Sequence, residues 1–271
     1  MAAKATTAKG EIRVGIGGWT YAPWRGTFYP DTLPQKRELE YASRQLTSIE
    51  INGTFYGLQK PETFSKWRDE TPDGFVFSLK APRFTTNRRV LGSAGESIAR
   101  FLASGIAELK EKLGAINWQF APTKEFDSKD FEAFLKFLPK KLGSRVLRHA
   151  VEVRHESFRC EQFIALLRKH EIAAVISGDS NYPQMADTTA PFVYVRIMGT
   201  KKSEKLGYSK TSLDAWAARA QSWASGASAK EMEYVNSPKS DGKARDVYLY
   251  VISGDKERNP AAAASLIQRI R

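Results

Sequence analysis

Eight short runs rich in branched and aromatic residues recur along the 271-residue chain, and most are followed by a segment of helical periodicity. They are RVGIGGW (13–19), SIEIN (48–52), FVFSLKA (75–81), AINWQF (115–120), HAVEVRH (149–155), AAVISGD (173–179), FVYVRIMG (192–199) and DVYLYVIS (246–253). Such alternation signals parallel β-α units, because parallel neighbours need a crossover that a helix supplies. Eight units in about 250 residues match a (β/α)8 barrel. The expectation is a single α/β domain, a TIM-like barrel over residues 12–271, behind a disordered N-terminal tail at 1–11. A doubly wound open sheet competes, but GIGGWT puts Thr20 where a dinucleotide fingerprint wants its last glycine.

The helical segments carry their own punctuation. In residues 96–114, Ile98, Phe101, Leu102, Ile106, Leu109 and Leu113 recur at spacings of three and four, with Gly114 as the stop. The segment 127–143 presents Phe131, Phe134, Leu135 and Leu138 to a core, starting at Asp127 or Ser128 and ending at Gly143. The segment from Thr211 opens with Thr211 and Asp214 in capping-box spacing, and the last helix opens with Asn259 as cap and Pro260 in its first turn. Residues 180–191 carry little helical signal, and 225–246 read as a surface loop.

Side chains alternate across a strand, so residues i and i+2 share a face. On that parity Glu50 pairs with Asn52, Ser78 with Lys80, Asn117 with Gln119, Glu152 with Arg154, Ser177 with Asp179, and Arg196 with Met198. The opposite faces carry Ile49, Ile51, Phe77, Leu79, Trp118, Phe120, Val151, Val153, Ile176, Val195 and Ile197. In a barrel the apolar set packs on the helices and the polar set points into the lumen, near the strand ends where barrel enzymes keep their active sites. Glu50 and Lys80 are expected to meet across neighbouring strands, and Glu152, Arg154, Asp179 and Arg196 to share one sector. Glu50, Lys80, Glu152, His155 and Asp179 are the candidate catalytic residues, with His155 the best proton-transfer group. Trp19, Trp24, Asn52, Tyr56, Gln119, Arg154 and Arg196 are the candidate substrate contacts. A competing account makes the polar set structural ion pairs and the aromatics of 19–29 a satellite core.

Composition narrows the chemistry. Three histidines are too few and scattered for a multinuclear metal site, so no metal ligands or cofactor are assigned, though the carboxylates leave a bound Mg2+ open. Phosphate-binding P-loops and nucleophile elbows are absent from the sequence. The single cysteine, Cys160, rules out an internal disulfide framework and fits a reducing, cytoplasmic setting. Apolar runs fall short of the roughly 20 residues of a membrane span, so no membrane partner is expected. A net charge of +12 favours an anionic partner: a small anionic or phosphorylated ligand, or nucleic acid.

VGIGGWTYAPWRGTFYP, SIEINGTFY, ETFSKWRDETPDGFVFSLKAPR, LGAINWQFAP, VEVRH and YVRIMGT, taken together and in order, resemble the successive motifs of domain-of-unknown-function family 72, the YecE-like proteins. The resemblance runs from about residue 12 to residue 271. It implies a TIM-like barrel, names no reaction, and carries over Trp19, Trp24, Glu50, Asn52, Thr54, Tyr56, Lys80, Gln119, Glu152, Arg154, His155, Asp179 and Arg196. Two positions depart from it: Asn87 and Met198 stand where many members have histidine, so a mechanism through either histidine is not expected. Three functions follow as expectations: an enzyme acting on a small anionic or phosphorylated substrate at the barrel mouth, a nucleic-acid-binding or processing protein, and a catalytically silent binding module.

Overall fold

The computed structural model describes residues 9–238 and 240–271. Eight parallel strands close a barrel in sequence order: β1 Ile12–Gly17, β2 Ser48–Ile51, β3 Val76–Lys80, β4 Leu113–Gln119, β5 Arg148–Glu152, β6 Ala173–Gly178, β7 Phe192–Ile197 and β8 Asp246–Val251. β8 returns to β1 with Ile12 opposite Val247 and Ile16 opposite Val251, which leaves no open sheet edge in the barrel. The helices around it are α1 Glu38–Gln45, the single-turn α2 Gly53–Tyr56, α3 Pro61–Asp69, the single-turn α4 Arg83–Thr86, α5 Gly95–Leu102, α6 Ser128–Lys136, α7 Glu161–His170, α8 Lys210–Ala224 and α9 Asn259–Ile270. Residues 180–191 are irregular, as their weak periodicity predicts. No helix among the described residues is long and apolar enough to cross a membrane.

Several expected boundaries move. Of the tail expected at 1–11, residues 1–8 lie outside the described residues, whereas Gly10 N donates to Ala224 O at 2.9 Å and Glu11 N to Asp246 Oδ1 at 3.0 Å. The helix read over 96–114 is two pieces: α5 ends at Leu102, and a 3₁₀ segment Ile106–Lys112 runs into β4. Gly105 makes the break, because its φ of +110° suits glycine alone and a Cβ there would stand 2.6 Å from Pro61 Cα. Gly114 lies inside β4 rather than stopping a helix. Likewise α6 ends at Lys136, not Gly143, and a two-residue antiparallel ribbon, Lys141–Leu142 with Arg145–Val146, takes up the remainder.

The caps follow the donors in reach. Asp127 Oδ1 accepts from the amides of Lys129 and Asp130, each at 2.9 Å, as the sequence suggests. For α8, by contrast, Ser209 is the cap, its Oγ accepting from Ser212 N at 3.1 Å, and Thr211 already sits inside the first turn. Asn259 does not cap α9, since its Oδ1 is taken by Thr200 Oγ1 at 2.8 Å.

Strand alternation sorts the buried side chains into two bodies. Outside the barrel, Ile49, Ile51, Phe77, Leu79, Trp118, Val151, Ile176, Val195 and Leu249 belong to the main core with the helices. Inside, Val76, Ala115, Ala150, Ala173, Val175, Phe192, Tyr194, Tyr248 and Tyr250 form a separate cluster. Alanines on β4, β5 and β6 leave the volume that the aromatics of β7 and β8 fill, which meets the demand for close packing in a narrow lumen. Two residues further along the same faces, the lumen turns polar with Ser78, Asn117, Glu152, Ser177 and Arg196. The inward-polar reading therefore applies to the C-terminal half of the lumen, and the N-terminal half is apolar.

Ser209→Ala should cost about 1 kcal/mol in urea unfolding, the usual worth of an N-cap. Thr211→Ala, on an exposed position, should stay within about 0.5 kcal/mol of the parent.

Candidate functional site

The polar half of the lumen is organised by one guanidinium. Arg196, near the end of β7, donates through Nη1 to Glu152 Oε2 at 2.6 Å and through Nη2 to Glu50 Oε1 at 3.0 Å. Both carboxylates are fully buried, at 0% exposure. Tyr194 Oη donates to Glu50 Oε2 at 2.6 Å, and Asn117 Nδ2 reaches Glu152 Oε2 at 3.1 Å. Glu152 Oε1 accepts from Gln119 Nε2 at 2.7 Å and from Arg154 Nε and Nη2 at 3.0 and 2.9 Å. Every oxygen of the two carboxylates thus faces a protein donor, and the guanidinium stands between them. Among the described residues no set of three or more acidic, histidine or cysteine side chains is placed to hold a metal ion.

Opposing effects set the protonation states. Burial alone would raise the Glu152 carboxyl, yet Arg196 and Arg154 beside it overcome that cost and hold it at about 2. Burial disfavours charge on Arg196 as well, but Glu152 and Glu50 raise its pKa further still. The Tyr194 hydroxyl is pushed well above 10 by burial and then by Glu50, which keeps it a neutral donor.

Lys80, at the end of β3, differs from its neighbours. It is 9% exposed, and among the described residues its Nζ has neither an ion pair nor a hydrogen bond; it rests 4.1 Å from the Phe55 ring centroid. The expected Glu50–Lys80 pair does not form, because Arg196, Tyr194 and Asn117 occupy Glu50. Burial, then Arg196, lowers the Lys80 pKa to about 8, with Glu50 and Glu152 resisting. Three polar atoms in this half of the lumen are fully buried without partners: Asn117 Oδ1, Ser177 Oγ and Arg196 Nε.

The other predicted residues spread around this centre. Arg154 stacks 4.4 Å over Tyr182 and keeps 20% of its side chain exposed at the rim. Asn52, half-buried, lies across Gly17, where a Cβ would stand 2.6 Å from Nδ2; glycine at that strand end lets the amide in. Tyr56 is 72% exposed beside Arg83, outside the cluster. Asp179 leaves the expected sector: its φ of +53° interrupts strand alternation, and its carboxylate accepts from Trp216 Nε1 at 2.8 Å. It lines instead a cavity of about 530 Å³ with Tyr208 and Lys201. His155 caps a short turn, its Nδ1 2.8 Å from Ser157 Oγ, and none of its hydrogen bonds among the described residues reaches the lumen. Trp24 is buried in an aromatic group with Phe28 and Tyr29 and donates to Lys256 O at 2.9 Å, while Trp19 packs edge-on against Trp67. Trp24 and Tyr29 belong to the main core outside the barrel, and Trp19 and Phe28 pack against it rather than forming a separate satellite. Asn87 lines a groove of about 770 Å³ with Arg88, Arg89 and Lys124.

Sequence reasoning missed Tyr194, Tyr250, Ser48 and Tyr182. Tyr194 lies two residues before Arg196 and Ser48 two before Glu50, so the parity that found one of each pair also contained the other. Tyr250 links Ser48 and Ser78, each at 2.7 Å, below the charged layer. Tyr182 sits in the irregular segment, where no period could have placed it.

Arg196→Met should lose about 3–5 kcal/mol of stability, because it leaves the buried Glu50 carboxylate without a cation and Glu152 with Arg154 alone. Adding Glu50→Gln should recover part of that loss in the same urea titration. Glu152 stands near 2 in the fold against 4.5 when unperturbed, so the unfolded chain takes up its proton first on acidification. Its stabilisation, on the order of 3 kcal/mol, is complete above about pH 5 and disappears as pH falls toward 2. The stability gap between the parent and Glu152→Gln should narrow over that window; a constant gap would show that the charge is not what matters.

Comparison with known proteins agrees with this architecture. The chain is 28% identical to the UPF0759 protein YecE of Escherichia coli K12 over 54% of its length, and 28% identical to the UPF0759 protein YunF of Bacillus subtilis over 67%. These matches span 50% and 64% of the two relatives, so the chain covers about half to two thirds of their lengths. The crystal structure of a DUF72 family protein from Thermotoga maritima superposes with a TM-score of 0.72 at 20% identity, covering 95% of this chain and 98% of that one. A DUF72 family protein from Enterococcus faecalis gives 0.69 at 16% identity, covering 96% and 98%. Such identities speak for the fold alone. The sequence profile described as "Protein of unknown function DUF72" matches residues 13–271, and the chain therefore belongs to the DUF72 family.

Proposed function

We propose that the C-terminal mouth of the barrel binds a small anionic substrate, phosphorylated or carboxylated, and that the protein is an enzyme acting on it. The observation that carries this reading is the unpaired Lys80 ammonium in a cluster whose charges do not cancel. Lys80, Arg154 and Arg196 are three cations against two carboxylates, Glu50 and Glu152, which leaves one positive charge. Buried charge without a counter-ion is costly, and an anion seated at Lys80 would relieve it. Lys80 and the exposed part of Arg154 are the contacts for the anion, with half-buried Asn52 and buried Gln119 to orient it. Glu152, held at about 2, serves better as a fixed counter-charge than as a proton carrier near neutral pH.

A nucleic-acid partner is the second reading, favoured by the net charge of +12 and by Arg88 and Arg89 in the groove beside α4. Lys124 in that groove is already paired with Asp130 at 3.1 Å, which weakens the case. A silent binding module would share the anion site and differ only in showing no turnover.

Calorimetry with inorganic phosphate and a panel of small phosphate and carboxylate metabolites separates these readings. The parent should bind members of the panel, and Lys80→Met should lose about 1.5–3 kcal/mol of that affinity, tenfold or more in Kd. If the parent binds no small anion but takes up a single-stranded oligonucleotide at low salt, the nucleic-acid reading replaces this one.

A further inference from the structure

The guanidinia of the mouth are ion-paired with Glu152 and Glu50, Arg154 with part of its side chain still exposed, but the Lys80 amine has no ion pair among the described residues. A lysine kept for charge pairing sits against a carboxylate; this one is packed on Phe55, with Arg196 and Arg154 disfavouring its charge and Glu50 and Glu152 opposing them from beyond ion-pair distance. Its backbone is pinned as well, since Thr54 Oγ1 donates to Lys80 O at 2.7 Å, which fixes where β3 delivers the side chain. Desolvation beside another cation is the arrangement that turns a lysine into an amine nucleophile.

We propose that Lys80 is a covalent nucleophile, condensing through Nζ with the carbonyl group of a small carbonyl compound that also carries a carboxylate or phosphate. This rests on the reading of the mouth as an anion site, with Arg154 receiving the anionic group at the rim. The neutral amine forms the C–N bond as the carbonyl π pair moves onto oxygen. The proton lost from nitrogen and one from solvent leave with that oxygen as water. The product is a protonated imine, its nitrogen keeping the second amine proton, with no net oxidation or reduction. Burial, then Arg196, brings Lys80 to about 8, so about a tenth of it is free amine at pH 7 and half at pH 8.

Lys256 is a built-in control. Burial lowers its pKa too, and it lies 4.2 Å over Tyr21, but it belongs to the aromatic group around Trp24 rather than to the charged mouth. The test is borohydride trapping with pyruvate and, separately, with dihydroxyacetone phosphate, followed by peptide mass spectrometry. The reduced adduct should fall on Lys80 in preference to Lys256 and the surface lysines. Its yield should rise several-fold from pH 7 to pH 8.5 and fall when inorganic phosphate is added. Lys80→Arg and Lys80→Met, checked for folding by urea titration, should both lose it. Adducts scattered over other lysines, in a parent that binds phosphate by calorimetry, would overturn the proposal and leave the anion site standing. A parent that forms no adduct and binds no phosphate would remove the two together.

Discussion

Two buried carboxylates on opposite sides of one barrel can coexist only if something cationic stands between them, and Arg196 meets that requirement. Its planar fork reaches Glu50 on β2 with one nitrogen and Glu152 on β5 with the other, so three strands are tied across the lumen rather than around its wall. A lysine could not replace it, because a point charge on a flexible stem cannot make two directed contacts of this kind. The remaining donors then fall into place. Tyr194, Gln119 and Arg154 satisfy the oxygens that the fork leaves open, and Asn117 adds a second donor to one that it holds.

The apolar half of the lumen makes this charged layer affordable. Ala115, Ala150 and Ala173 opposite bulky Phe192 and Tyr248 fill the lower barrel with few polar atoms, and Ser48, Ser78 and Tyr250 bond their hydroxyls to one another above that packing. Charge is thereby confined to the end where the loops open. Every strong ionic contact there has a partner except at Lys80, which is why that residue dominates both functional readings.

Most of the architecture was legible in the sequence because strand parity and helix spacing are local properties. Period-two alternation assigned Glu50, Asn117, Glu152 and Arg196 to one face, and the closed barrel turns that face inward. Ends were less legible. Whether Ser209 or Thr211 caps α8, and whether residues 96–114 form one helix, depended on which donor lay in reach and on Gly105 meeting Pro61. The parity rule also failed at Asp179, where a positive φ turned the carboxylate toward Trp216.

By itself the sequence determined the eight-stranded barrel, the two faces of each strand and the ring of polar groups near the strand ends, since each follows from residue order along a few turns or strands. Pairing was decided only in three dimensions. Glu50 bonds to Arg196, 146 positions away, in preference to Lys80 on the neighbouring strand, because a guanidinium at the axis can satisfy two carboxylates at once and an ammonium at the rim cannot. That choice leaves Lys80 without a partner, and spacing along a chain carries no record of which partner a charge is denied.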